Sequence, residues 1–160
     1  MTTKIMESQN RLDVFEPGDK TALVCLDVPE LQRIVVDQLT ALGFKIHTGL
    51  YVDDALLKLR THAYDVVAVS EHFNASDIDT NPIIAETLLT TPEQRRKQLV
   101  VVLGASFVTN DGMQAFDHSV DLVVALPDVV NLTPVLRRGL ARIRDFYAPW
   151  SEALRTAEAA

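Results

Sequence analysis

Five short apolar runs, alternating with segments of helical periodicity, constrain the fold of this chain more than any other feature. The runs are Thr21 to Leu26, Phe44 to Thr48, Asp65 to Ser70, Gln98 to Leu103 and Asp121 to Leu126. Four of them are nearly continuous in Val, Leu and Ala, as expected of parallel strands covered on both faces. Only Phe44-Lys45-Ile46-His47-Thr48 alternates, which marks it as the best candidate for a sheet edge.

Between the first two runs, Leu31, Ile34, Val35, Gln38, Leu39 and Leu42 recur at helical spacing, with Pro29 in the first turn and Gly43 as a stop. Asp53-Asp54 opens a second amphipathic segment carrying Ala55, Leu56 and Leu59. Asn81-Pro82 has the form of a cap and first helical residue. Asn110 and Asp111 start a short helix that is expected to turn Met113 and Phe116 inward. Asn131 leads a longer one through Leu132, Leu136, Leu140, Ile143 and Tyr147, with Pro134 early enough to be tolerated. Five alternations of strand and helix predict a three-layer, doubly wound α/β domain. Its chemistry would lie beyond the carboxyl ends of the strands, at Leu26-Asp27, Ser70-Glu71-His72, Leu103 to Ser106 and Leu126-Pro127.

A length of 160 residues with 48% hydrophobic composition suits one domain with a real core and leaves little room for two. A net charge of -7 argues against a general nucleic-acid binder, because phosphate neutralisation needs clustered positive charge. The single cysteine, Cys25, lies inside an apolar run and reads as a small core hydrophobe. No stretch has the length and apolarity of a membrane span, and Met1 to Gly18 is too polar for a signal peptide. Together these predict a soluble cytoplasmic protein, with residues 1–18 as a flexible tail.

The order and spacing of several segments carry a family resemblance. They are Leu23-Val24-Cys25-Leu26-Asp27-Val28-Pro29-Glu30, Leu39-Thr40-Ala41-Leu42-Gly43-Phe44, Asp53-Asp54-Ala55-Leu56 and Tyr64-Asp65-Val66-Val67-Ala68-Val69. From Thr21 to about Tyr147 the chain resembles a response-regulator receiver domain of the CheY-like kind. The resemblance implies a five-stranded parallel sheet in the flavodoxin-like order 2-1-3-4-5. It also implies a receiver-like domain over 19–147; beyond it, Pro149-Trp150-Ser151-Glu152-Ala153-Leu154 continues with helix-friendly residues, which predicts a helical extension or tail over 148–160. Met113-Gln114-Ala115-Phe116 and Asp121-Leu122-Val123-Val124 are similar to receiver-like modules that follow a zinc ribbon in some bacterial proteins. One cysteine cannot build such a ribbon here.

Receivers use an acidic pair after the first strand, an acceptor aspartate after the third, a Ser or Thr after the fourth and a Lys-Pro after the fifth. Carried over position by position, these become Leu26-Asp27, Ser70, Gly104 and Leu126-Pro127. Only Asp27 and Pro127 match. The aromatic residue that commonly reports activation falls at Val123. Magnesium wants oxygen ligands, which Leu26 does not supply. A serine hydroxyl is a poor nucleophile without a base or a metal, and Leu126 cannot neutralise a transferring phosphoryl group. The sequence therefore predicts a degenerate pseudo-receiver with no catalytic residue, metal or cofactor.

Other readings compete at single residues. Asp27, before Val28-Pro29, is read first as a helix cap and only second as a metal contact. Ser70, Glu71 and His72 have the types of a hydrolytic triad, but sequence neighbours rarely converge in its geometry. His47, His62, His72 and His118 lack ligand spacing. Gly104 reads as a turn residue. The connection from Glu71 to Asn81 overhangs the acceptor position and reads either as a recognition loop or as an ordinary solvated one.

The last helix offers Arg138 and Arg142 together with a stripe of Tyr147, Trp150 and Leu154. These five residues are the expected contact face for a protein partner or a second copy, the competing readings being a stripe that folds back on its own domain and arginines that form a solvated helix face. The resulting expectation is phosphorylation-independent protein-protein signalling in bacterial signal transduction. The alternatives are a small-ligand or nucleotide sensor using the vacated acceptor pocket, and an atypical phosphorelay response regulator.

Overall fold

The computed structural model describes residues 13–159. Strands β1 (Thr21–Cys25), β2 (Lys45–Thr48), β3 (Val66–Ser70), β4 (Leu99–Gly104) and β5 (Leu122–Ala125) form one parallel sheet in the order β2-β1-β3-β4-β5. The alternating run, β2, is an edge as expected. Every strand after β1 begins one residue later than its apolar run. Asp65 and Asp121 turn their carboxylates back instead, accepting hydrogen bonds from the Thr21 and Val100 amides, each at 2.8 Å.

Helices α1 (Pro29–Ala41), α2 (Val52–Thr61), α3 (Pro82–Thr87), α4 (Pro92–Arg96), α5 (Gly112–Asp117) and α6 (Leu132–Ala159) connect or follow the strands. The pleat sorts the core into two layers. On one face Val24, Ala68, Val101 and Val124 pack with Val35 and Leu39 of α1 and Leu132 and Leu136 of α6. On the other, Leu23, Val67, Val102 and Val123 meet Ala55 of α2, Ile83 of α3 and Ala115 of α5. Cys25 is buried in the second layer, and burial pushes its thiol pKa up.

Local signals succeeded where the partner atom is near in sequence. Asn81 caps α3 through the Ile83 and Ile84 amides, and Asp111 caps α5 through those of Met113 and Gln114. Other expectations need correction. Met113 and Phe116 face outward, 70% and 78% exposed, because α5 has only 6 residues and buries Ala115 instead. At the start of α6 it is Gln38 of α1, not Asn131, that accepts from the Leu132 and Thr133 amides, at 2.7 and 3.0 Å. The same side chain donates to the Val129 carbonyl.

The expected tail also differs in its described part. The Asp13 amide donates to Ile46 O of β2, and the Asp13 carboxylate accepts from the Ile46 amide. Phe15 stacks on His47 at 3.9 Å between ring centroids. These contacts hold the segment against an otherwise open strand edge. The remainder of the expected tail, residues 1–12, lies outside the described residues.

Candidate functional site

At the carboxyl end of the sheet, Leu26 and Asp27 follow β1 and diverge at once. Leu26 is fully buried in the first core layer, packed with Leu103 and Val124, whereas Asp27 is exposed. Asp27 does not cap α1: the cap position is Val28, which makes no side-chain cap hydrogen bond. Both oxygens of the Asp27 carboxylate instead lie 3.1 Å from the Asn74 amide, and the Ser70 hydroxyl approaches one of them at 3.5 Å. The carboxylate thus receives a backbone donor from the connection that follows β3.

That connection is folded, not merely solvated. It contains two 3-10 turns, Phe73–Ala75 and Ile78–Thr80, and anchors the wholly buried Phe73 in the second core layer. Asn81 donates to the carbonyls of Ser70 and Glu71 at 3.0 and 3.2 Å, tying its far end to its near end. Asn74 and Ala75 take left-handed backbone angles of φ 55 and 61. Asn tolerates this region, but Ala does so at a cost of about 1–2 kcal/mol. The fastening at Asn81, the Asp27 contact and the burial of Phe73 together hold the turn.

Gly104 ends β4 and is not a free turn residue. A Cβ there would fall 2.7 Å from Glu71 Cβ and closer still to the Glu71 carboxylate. Glu71 is 5% exposed, and its Oε1 has no hydrogen-bond partner among the described residues. The space that a threonine or serine side chain would take is therefore filled by Glu71. His72 Nδ1 donates to the Ser76 carbonyl at 2.9 Å, while the Ser70 hydroxyl faces Asp27. Ser70, Glu71 and His72 do not form a hydrogen-bonded relay. Leu126 and Pro127 begin a 3-10 turn after β5, and Leu126 is 39% exposed.

Solved structures with a similar fold include receiver domains and response regulators. The chain is similar to the receiver domain of Francisella response regulator 1452, at 16% identity and a TM-score of 0.58 over 78% of this chain and 98% of that one. It is similar to HP1043, an orphan response regulator of H. pylori, at 19% identity and 0.56 over 78% and 99%. Chemotaxis protein CheY4 of Vibrio cholerae matches at 14% and 0.59 over 79% and 99%. The fold is that of a response-regulator receiver. No protein-family model matches the chain, and no curated protein does.

A receiver fold implies a magnesium ion held by carboxylates at this end of the sheet, and the residues present do not fit one. Of the pair after β1, one member is a buried leucine and the other already accepts the Asn74 amide. A hard dication needs several oxygen ligands, and Ser70 adds only a neutral hydroxyl. Among the described residues no group of three or more His, Cys, Asp or Glu side chains is placed to hold a metal.

The proposed contact residues lie elsewhere. α6 is 28 residues long and buries only Leu132, Leu136 and Gly139 fully; from residue 148 onward it is exposed throughout. It runs on from the sheet-packed part without a break through Pro149. Trp150 is 49% and Leu154 38% exposed, and the Arg96 guanidinium of α4 lies 4.4 Å from the Trp150 ring centroid. Arg138 and Arg142 line an open groove of about 750 Å³ with Asn110, Asp145 and Phe146. They therefore border a different surface from the one carrying Trp150.

The sequence reading missed one cluster. His47 and His62, distant in the chain, come within 4.9 Å of each other in an aromatic group with Phe15 and Tyr64. His47 Nε2 donates to the Asp13 carbonyl at 2.9 Å, which leaves Nδ1 to accept from the Tyr64 hydroxyl at 2.6 Å. Burial lowers the His47 pKa and raises that of Tyr64. The only signal in the sequence was the polar residue at an inward position of the alternating strand.

Proposed function

We propose that this chain is a receiver-like signalling domain that acts through protein-protein contact and does not depend on phosphorylation. The observation that carries the reading is the occupation of the Asp27 carboxylate by the Asn74 amide, beside a serine at the acceptor position. Three further features support it. Leu26 belongs to the core, Glu71 fills the space beside Gly104, and Leu126 offers no charge for a phosphoryl group. A fastened connection over Asp27 and Ser70 also weighs against an open ligand pocket there.

Signalling then falls to surfaces, and the exposed end of α6 is the surface we assign to it. The setting proposed is bacterial signal transduction in the cytoplasm; no helix among the described residues is long and apolar enough to cross a membrane. The test is to incubate the protein with magnesium and a small phosphodonor and measure its intact mass. An unchanged mass is expected. A stoichiometric phosphoryl adduct would sink the reading and restore an atypical phosphorelay role.

A further inference from the structure

α6 carries a stripe whose spacing alternates between three and four residues, running from its packed part into its exposed end: Leu140, Ile143, Tyr147, Trp150, Leu154 and Ala157. This is the spacing that a two-helix coiled-coil seam requires. Leu140 and Ile143 spend it on the domain's own first core layer, but Trp150 and Leu154 remain open to solvent apart from the Arg96 contact. A helical end of this length behind Pro149 is marginal when nothing covers it. Resting on the contact reading above, we propose that the seam pairs antiparallel with the same seam of a second copy of this chain.

Charge selects both the partner and its direction. Setting Trp150 against Leu154 of the second copy places Tyr147 against Ala157 of that copy. Arg144 then comes level with Glu158 of the second copy on the flanking position, and by symmetry the pair forms twice. In a parallel pair the flanking contacts are Phe146 with Ser151 and Ala153 with Glu158, and no opposite charges meet.

Within one chain the two residues cannot reach each other, since 14 residues of helix separate them by about 21 Å. Arg144 approaches only its neighbour Asp145, at 3.8 Å, and Glu158 makes no ion pair among the described residues. A second copy satisfies both.

Sedimentation velocity on the full chain across the micromolar range tests the proposal. A dimer is expected, and Leu154→Glu should abolish it while the far-ultraviolet circular dichroism of the sheet domain is kept, because no described residue beyond 147 is buried. Arg144→Glu alone and Glu158→Arg alone should each weaken the dimer by about fivefold to tenfold. Combining the two swaps should bring the affinity back. A chain that stays monomeric, a dimer indifferent to Leu154→Glu, or a double swap that fails to restore affinity would each overturn the antiparallel pair.

The phosphodonor experiment reads a different property. A monomer that takes up no phosphoryl group would defeat the pairing and leave the contact reading standing. A dimer that does take one up would do the reverse.

Discussion

The two ends of the sheet have been treated in opposite ways. At the carboxyl end two positions that a receiver would offer to a ligand are closed, Leu26 in the core and Asp27 on the Asn74 amide, and Glu71 fills the space beside Gly104. At the other end α6 runs past the strands and leaves aromatic and aliphatic side chains uncovered. Polar groups closed by the chain itself contribute to stability, whereas apolar surface left open contributes to association. The fold is shared with receivers; this contrast between its ends is not implied by the fold.

Substitutions can break or sharpen this contrast, and the closed end should respond most. Leu26→Asp, which rebuilds the missing carboxylate, places a charge in the first core layer. It is expected to cost about 3–5 kcal/mol, read by urea unfolding; a loss under 1 kcal/mol would mean that the position opens to solvent easily. Gly104→Thr should cost about 1–3 kcal/mol through collision with Glu71. Adding Glu71→Ala should recover much of that loss, and its failure to do so would place the strain elsewhere.

A smaller effect is expected at Asp27. Because its side chain is exposed, Asp27→Ala should lower global stability by only about 1 kcal/mol. Hydrogen exchange at the Asn74 amide should nevertheless accelerate, and an unchanged rate would show that the carboxylate does not hold the turn. At the open end, Trp150→Ala and Leu154→Ala should change unfolding free energy by less than about 0.5 kcal/mol while weakening assembly. Equal losses of stability at both ends would erase the comparison.

The architecture was legible because its signal is local. Four continuous apolar runs can be covered only on both faces, and Asn81-Pro82 and Asp111 announce helix starts within three residues of the amides that they accept from. The site was legible as a set of positions but not as contacts. Asp27 finds its donor 47 residues away, in a connection whose folding no local pattern encodes, so the nearer role of helix cap looked sufficient. Gln38 reaches the start of α6 across 94 residues for the same reason. Met113 and Phe116 were misread because six residues make less than two helical turns, too few for periodicity to choose a face.

The Gln38 anchor has a mechanical consequence. It clamps the root of a stiff rod of 28 residues, about 42 Å from end to end. A tilt of about 5° at that root would sweep the far tip through roughly 4 Å, enough to bring two seams out of register. In the proposed pair, whatever nudges α1, on the flank of the molecule, would then be felt where the two copies meet.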